Sequence, residues 1–172
     1  MTKRASFYLL LIVGLGVLLN HMSWREKDHG YVWVVDEQEI DVLGIVHDKW
    51  NKLTRNCEHV THIPPKSAQY LAIELLIQNY SPPGSNSAQI RSLWSLQNWA
   101  LAEVEFEDLL PAVVLLQPAK GEPLILSHAI WSGYTSPWEP APFIRNYLST
   151  QAPDAPPPLI ECFDPKTRFL TP

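Results

Sequence analysis

Thirteen consecutive residues, Phe7 to Leu19 (FYLLLIVGLGVLL), carry no charge and no strongly polar side chain. A run of this kind belongs in a bilayer or in a buried helix. Lys3 and Arg4 stand before it, and Asn20, His21, Met22, Ser23 and Trp24 follow. A cleaved signal peptide has this charged start and core length, but it needs small residues at its cleavage site. Leu-Leu-Asn-His-Met-Ser-Trp offers no such site. An uncleaved anchor needs about 20 residues. Ala5 to Trp24 reaches that length with Ser6, Asn20 and His21 in the headgroup zone and Trp24 at the interface. The reading is a signal-anchor over residues 1–24, embedded through residues 5–24, ahead of a domain at 25–172.

Orientation follows from Lys and Arg alone. The short N-terminal tail carries Lys3 and Arg4, which favours its retention in the cytoplasm. In a bacterium the chain is then a single-pass inner-membrane protein whose C-terminal domain lies in the periplasm. Past the apolar run the chain holds 18 acidic residues against 11 Lys and Arg, a net of −7. That balance argues against a nucleic-acid partner, which needs a basic face to meet phosphates. Seven Trp, six Tyr and five Phe argue against a solvated coil.

The spacing of apolar residues predicts one α+β domain, with helices packed on a short antiparallel sheet. Tyr31 to Val35 is β-branched and aromatic, and reads as a strand. Asp36 with Glu39 has the form of a capping box. Behind it Ile40, Leu43, Val46, Trp50 and Leu53 define one apolar helical face, with Gly44 as a weak point. Ser67 caps a second helix through Ile77, stopped by Pro82-Pro83-Gly84. Ser87 caps a third, carrying Ile90, Leu93, Trp94, Gln97 and Leu101. The period then changes: Val104 and Phe106 alternate with Glu103, Glu105 and Glu107, a half-buried strand with an acidic outer face. Val113–Leu116 and Leu124–Trp131 form a hairpin with a long loop, and Pro111 and Pro123 sit at strand starts. Twelve of the sixteen prolines follow Asp108. A short helix spans Ala141–Thr150, Ala152–Pro158 is an extended connection, and Leu159–Phe163 is a last strand.

Two cysteines, Cys57 and Cys162, lie in the part read as exported, where thiols oxidise. A bond between them ties the C-terminal strand to the first helical layer; the alternative is two buried free thiols. Cys57, His59 and His62, with His47 ten residues upstream of the cysteine, are a weak metal set, because their spacing matches no closed zinc pattern. No cofactor is implied. Ser127-His128 lacks a nucleophile elbow, and no phosphate loop, dinucleotide fingerprint or His-Glu-x-x-His helix occurs. The reading is therefore not an enzyme.

The most distinctive stretch is Trp131 to Phe143, where Trp131, Tyr134, Trp138 and Phe143 stand among prolines. Rigid aromatics lose little entropy on docking and are enriched in binding hot spots. The same stretch also reads as a loop whose aromatics close the core, and carbohydrate stacking is a third reading. Together these features predict a non-catalytic, membrane-anchored interaction protein with a protein partner in the cell envelope. An accessory component of an envelope, secretion or conjugation assembly fits that layout. The alternatives are an immunity protein neutralising a periplasmic toxin, whose basic face the acidic domain would complement, and a metal-binding enzyme.

Overall fold

The computed structural model describes Tyr8, Gly16, residues 21–119 and residues 122–169, with Glu122 by its backbone alone. Most of the anchor segment lies outside those residues. Among the described residues no helix is long and apolar enough to cross a membrane.

The fold is α+β with antiparallel sheets, but its elements do not come in the expected order. A three-stranded meander comes first: β1 (Met22–Lys27), β2 (Gly30–Val35) and β3 (Gln38–Ile40). Met22 to Trp24, read as the membrane exit, begin β1, where Trp24 meets Trp33 edge-on across the ladder at 4.7 Å. Asp36 is not a helix cap. Asp36 and Glu37 both have positive φ (48° and 70°) and form the two-residue turn between β2 and β3. Glu39 instead pairs with Arg25 and Lys27 of β1.

Helix α1 (Val42–Thr54) is capped by Asp41, whose Oδ1 accepts from the Gly44 N–H at 2.7 Å. The cap explains the glycine. A Cβ at Gly44 would lie 2.0 Å from Asp41 Oδ2 and 2.9 Å from Glu139 Cβ, so no larger residue fits beneath the curled carboxylate. The predicted apolar face exists, but it faces water. Leu43, Val46, Trp50 and Leu53 are exposed, Trp50 by 65% and Leu53 by 81%. The inward face carries Asp48, which is buried against Arg145.

The main sheet has the order β4-β5-β6-β7-β8: β4 (Thr61–His62), β5 (Gln89–Leu96), β6 (Trp99–Glu105), β7 (Ala112–Ala119) and β8 (Glu122–Ser132). The third predicted helix is β5. A bulge at Arg91 places Ile90 and Leu93 on one face, three residues apart, and this mimics helical spacing. Gln97 and Asn98, at φ 53° and 68°, turn the chain into β6. Ser87 caps no helix; its Oγ accepts from the Glu107 N–H.

Helices cover both faces of this sheet. On one, α2 (Ala68–Gln78, capped by Ser67 as expected) lays Ile73 and Ile77 on Ala102, Val104, Val114 and Leu116. On the other, α3 (Pro140–Gln151) and α4 (Pro157–Glu161) bring Ile144, Leu148, Leu159 and Ile160 onto Leu101, Val113 and Leu115. Leu159 to Glu161 are therefore helical, and the predicted last strand is corrected. Pro157 and Pro158 occupy the first turn of α4, where a missing N–H costs nothing.

Glu103 also departs from expectation. It is fully buried in the central strand rather than on a solvated face. Its carboxylate accepts from Ser92 Oγ at 2.7 Å and from the N–H groups of Lys166 and Thr167. Three donors satisfy the buried charge and clasp the C-terminal segment to the sheet. In the β7–β8 hairpin the strands run on into the predicted loop as far as Pro118 and Pro123, which face each other, and beyond. Four residues of β8, Leu126 to Ala129, oppose the single residue Leu115, and this breaks the predicted alternation around His128.

Candidate functional site, an aromatic groove

The β1–β2 hairpin leans towards the N-terminal half of α3, and a groove of about 490 Å³ opens between them. Six aromatic side chains line it: His29, Tyr31, Trp131, Trp138, Phe143 and Tyr147. They reach the groove from five pieces of local structure, Phe143 and Tyr147 both from α3. His29 sits at the hairpin turn, and its ring meets Phe143 at 5.0 Å and Trp138 at 6.1 Å. Gly30 follows at φ +130°, a conformation suited to glycine, and the Trp138 ring rests 3.8 Å from where its Cβ would be. Trp131, next to last in β8, meets Phe143 at 5.2 Å and Tyr147 at 5.3 Å, both edge-on. Trp138 and Phe143 lie nearly parallel at 6.4 Å.

The loop carrying Trp138 is held in place. Thr135, buried, donates from N and Oγ1 to the Phe169 carbonyl, and the Trp138 N–H donates to the Thr135 carbonyl at 2.7 Å. The Ser136–Pro137 peptide is cis. Of the six rings, those of Trp131, Trp138, Phe143 and Tyr147 are half-buried, and those of His29 and Tyr31 are exposed. Tyr134 does not join the others. It lines a separate cavity with Phe106, Pro111 and Arg168.

Asp41 and Gly44 also line the groove, which brings the first turn of α1 to its wall. Asp41 Oδ2 accepts from the Glu139 N–H at 3.0 Å, so one carboxylate joins the starts of α1 and α3. The carboxyl of Glu139 is held above the usual carboxylate range, first by burial and then by the negative charges of Asp48 and Asp41, which Lys52 only partly offsets. Because its folded pKa is raised, the stability linked to Glu139 is full below its unfolded value and is lost as pH rises through the folded one. Glu139→Gln is therefore expected to melt above the native chain at pH 7. The two should melt together at about pH 3.5, where the native carboxyl is protonated. Parallel thermal scans check this, and an equal offset at both pH values would refute it.

The other residues singled out in the sequence lie elsewhere. Cys57 and Cys162 are bonded to each other, with Cα atoms 5.8 Å apart. The metal set is thereby dismantled. Cys57 has no thiolate to give, His62 packs edge-on to Trp94 at 4.8 Å, and His47 and His59 are exposed. Among the described residues no three His, Cys, Asp or Glu side chains gather in a way that could hold a metal ion. Of the groove residues, His29, Asp41 and Tyr147 carried no sequence signal of their own, and Tyr31 stood out only as the start of a strand. The signal that could have placed a hairpin turn here is the turn-forming stretch Asp28-His29-Gly30. No protein-family model, curated protein or solved structure matches this chain.

Proposed function

We propose that this chain is a non-catalytic, membrane-anchored protein of the bacterial envelope. Its exported domain holds a protein partner, as an accessory component of an envelope, secretion or conjugation assembly. The observation that carries the proposal is the groove, with its six aromatic side chains and pinned loop. Leu43 lines the groove and also heads the exposed apolar stripe of Val46, Trp50 and Leu53 on α1. A groove that continues into an uncovered apolar helix face has the make-up of an interaction surface rather than of scattered exposed residues. The apolar run ahead of β1 supports attachment to a membrane, and the Cys57–Cys162 bond suits an oxidising compartment.

The test is crosslinking of the partner in native membranes, with the native chain and with Trp138→Ala. As a groove anchor, Trp138 should account for about 2 kcal/mol or more of binding, so the variant should lose the crosslinked partner. Its ring is half-buried, so the domain should lose roughly 1–2 kcal/mol and melt less than about 10 °C lower. Undiminished capture by a folded variant would overturn the assignment of the groove. A much larger fall in melting temperature would make Trp138 a core lid instead.

A further inference from the structure

We infer that α1 lies on the membrane surface, with its stripe of Leu43, Val46, Trp50 and Leu53 sunk into the headgroup region of the bilayer; the inference rests on the membrane-anchored reading above. All four side chains are exposed, and only Leu43 lines the groove. At the helical turn per residue they fall within an arc of about 80° and run about 15 Å along the axis. The inward side of the helix belongs to Asp48, so the stripe has no role in the packing of the domain.

The polar residues beside the stripe point to lipid as its occupant. α1 exposes His47, Lys49, Lys52 and Thr54 there, and no acid, although the chain past the apolar run has a net charge of −7. The one acid of the helix, Asp48, is buried and held by Arg145 and Lys52. Lys52 is shared with Asp164, while Lys49 has no acid in ion-pair range among the described residues. Trp and Leu bordered by lysine rather than by carboxylate make up a helix that binds in the plane of a bilayer with anionic headgroups.

Chain length and strand register bring this helix to the bilayer. The apolar run ends at Leu19 and β1 begins at Met22, a reach of at most about 11 Å. A bilayer that holds the run therefore lies close against the start of the meander. Met22, Val35 and Gln38 align across β1, β2 and β3, as do Trp24, Trp33 and Ile40. β3 is thus two strand spacings, about 10 Å, from the start of β1. Asp41 alone separates β3 from α1. Trp24 and Trp50, both exposed, suit the interfacial zone where tryptophan collects. So short a tether gives an effective concentration on the order of millimolar, enough for a stripe too small to hold an untethered domain.

The experiment uses the full chain in lipid nanodiscs of phosphatidylethanolamine and phosphatidylglycerol. A nitroxide is attached in turn at Val46→Cys, Leu53→Cys, Ala72→Cys and Val13→Cys, the native cysteines being bonded to each other. Ala72 is exposed on α2, on the other face of the main sheet, and serves as the water-facing reference. Electron paramagnetic resonance reads collisions of each label with oxygen, which concentrates in lipid, and with a water-soluble nickel chelate. Labels at 46 and 53 should meet the chelate about fivefold less often than the label at 72, and oxygen more often. Trp50→Glu should bring the label at 46 to within about twofold of the reference; a label it does not move would overturn the role of the stripe. Equal chelate access at 46, 53 and 72, with the label at 13 shielded in lipid, overturns the inference and leaves the anchor standing. Low access to both probes at 46 and 53 also overturns it, and gives the stripe to a protein partner or a second copy. Free chelate access at 13 overturns the anchored reading, and the inference with it.

Discussion

Reduction of the Cys57–Cys162 bond is expected to cost roughly 4–5 kcal/mol of folding stability, because the bond closes a loop with a sequence separation of 105. The loss arises mainly in the unfolded state, where the opened chain gains conformational freedom. The folded seam has other holds. Lys52 bridges Asp48 and Asp164, and Arg55 donates to the Glu161 carbonyl and lies near Asp164. The reduced protein should therefore keep its native fold at low temperature and melt on the order of 10–20 °C lower. Against a total stability of about 5–15 kcal/mol, a loss of that size is a large share. Thermal scans with and without reductant, beside a Cys57→Ser/Cys162→Ser variant, measure it. A shift under about 3 °C would mean that the loop contributes little entropy, as in a denatured state that stays compact.

The β-strands and helices that sequence reading recovers are those whose local signal and tertiary role agree. Ser67 ahead of α2, the prolines at the start of α3, and the β-branched run of β2 each specify an element by local chemistry, and each is found close to where expected. The misreadings share a different cause. In β5 one extra residue, Arg91, resets the alternation, so Ile90 and Leu93 share a face at a spacing that belongs to helices. In α4 the Pro-Pro pair resembles an extended linker, yet Pro is also at home in a first helical turn, and only packing against the sheet decides between the two. Glu103 alternates with apolar neighbours as a surface residue would. Its burial depends on Ser92 and on backbone donors more than sixty residues away, which no local pattern announces.

The groove shows the same division. Trp131, Trp138 and Phe143 stand out because three large aromatics fall within one short proline-rich stretch. Their partners come from the hairpin turn and the first turn of α1, about a hundred residues earlier in the chain. The apolar stripe of α1 is the converse case. Its period is plain in the sequence, and the ordinary inference is that such a face turns inward. Here the inward position is taken by Asp48, because Arg145 on α3 stands ready to pair with it. Among the described residues nothing covers the stripe.

That buried pair is the second point at which the fold is expected to break. Arg145 Nη1 donates to Asp48 Oδ1 at 3.0 Å, while its Nε and Nη2 both donate to the Phe163 carbonyl. One guanidinium thus binds α1, α3 and the segment beyond α4. Arg145→Met should cost about 3 kcal/mol or more, since it leaves Asp48 short of a counter-charge and the Phe163 carbonyl short of its donors. Lys52, at 2.9 Å from the other Asp48 oxygen, keeps the loss from being larger. Asp48→Leu with Arg145→Met removes both charges and should recover part of the loss, so a double-mutant cycle isolates the pair. The pH dependence runs in the sense proper to a held carboxylate. Burial pushes the Asp48 carboxyl up, but the bond from Lys52 and the charge of Arg145 outweigh it and hold it below the usual range. Its contribution is present above the unfolded value near about pH 4 and is lost as pH falls through the lower folded value. Urea melts of the native and Arg145→Met chains should therefore diverge most near neutrality and draw together in acid. A loss under about 1 kcal/mol at pH 7, or a difference unchanged by acid, would show that the pair does not join the helices as its geometry indicates.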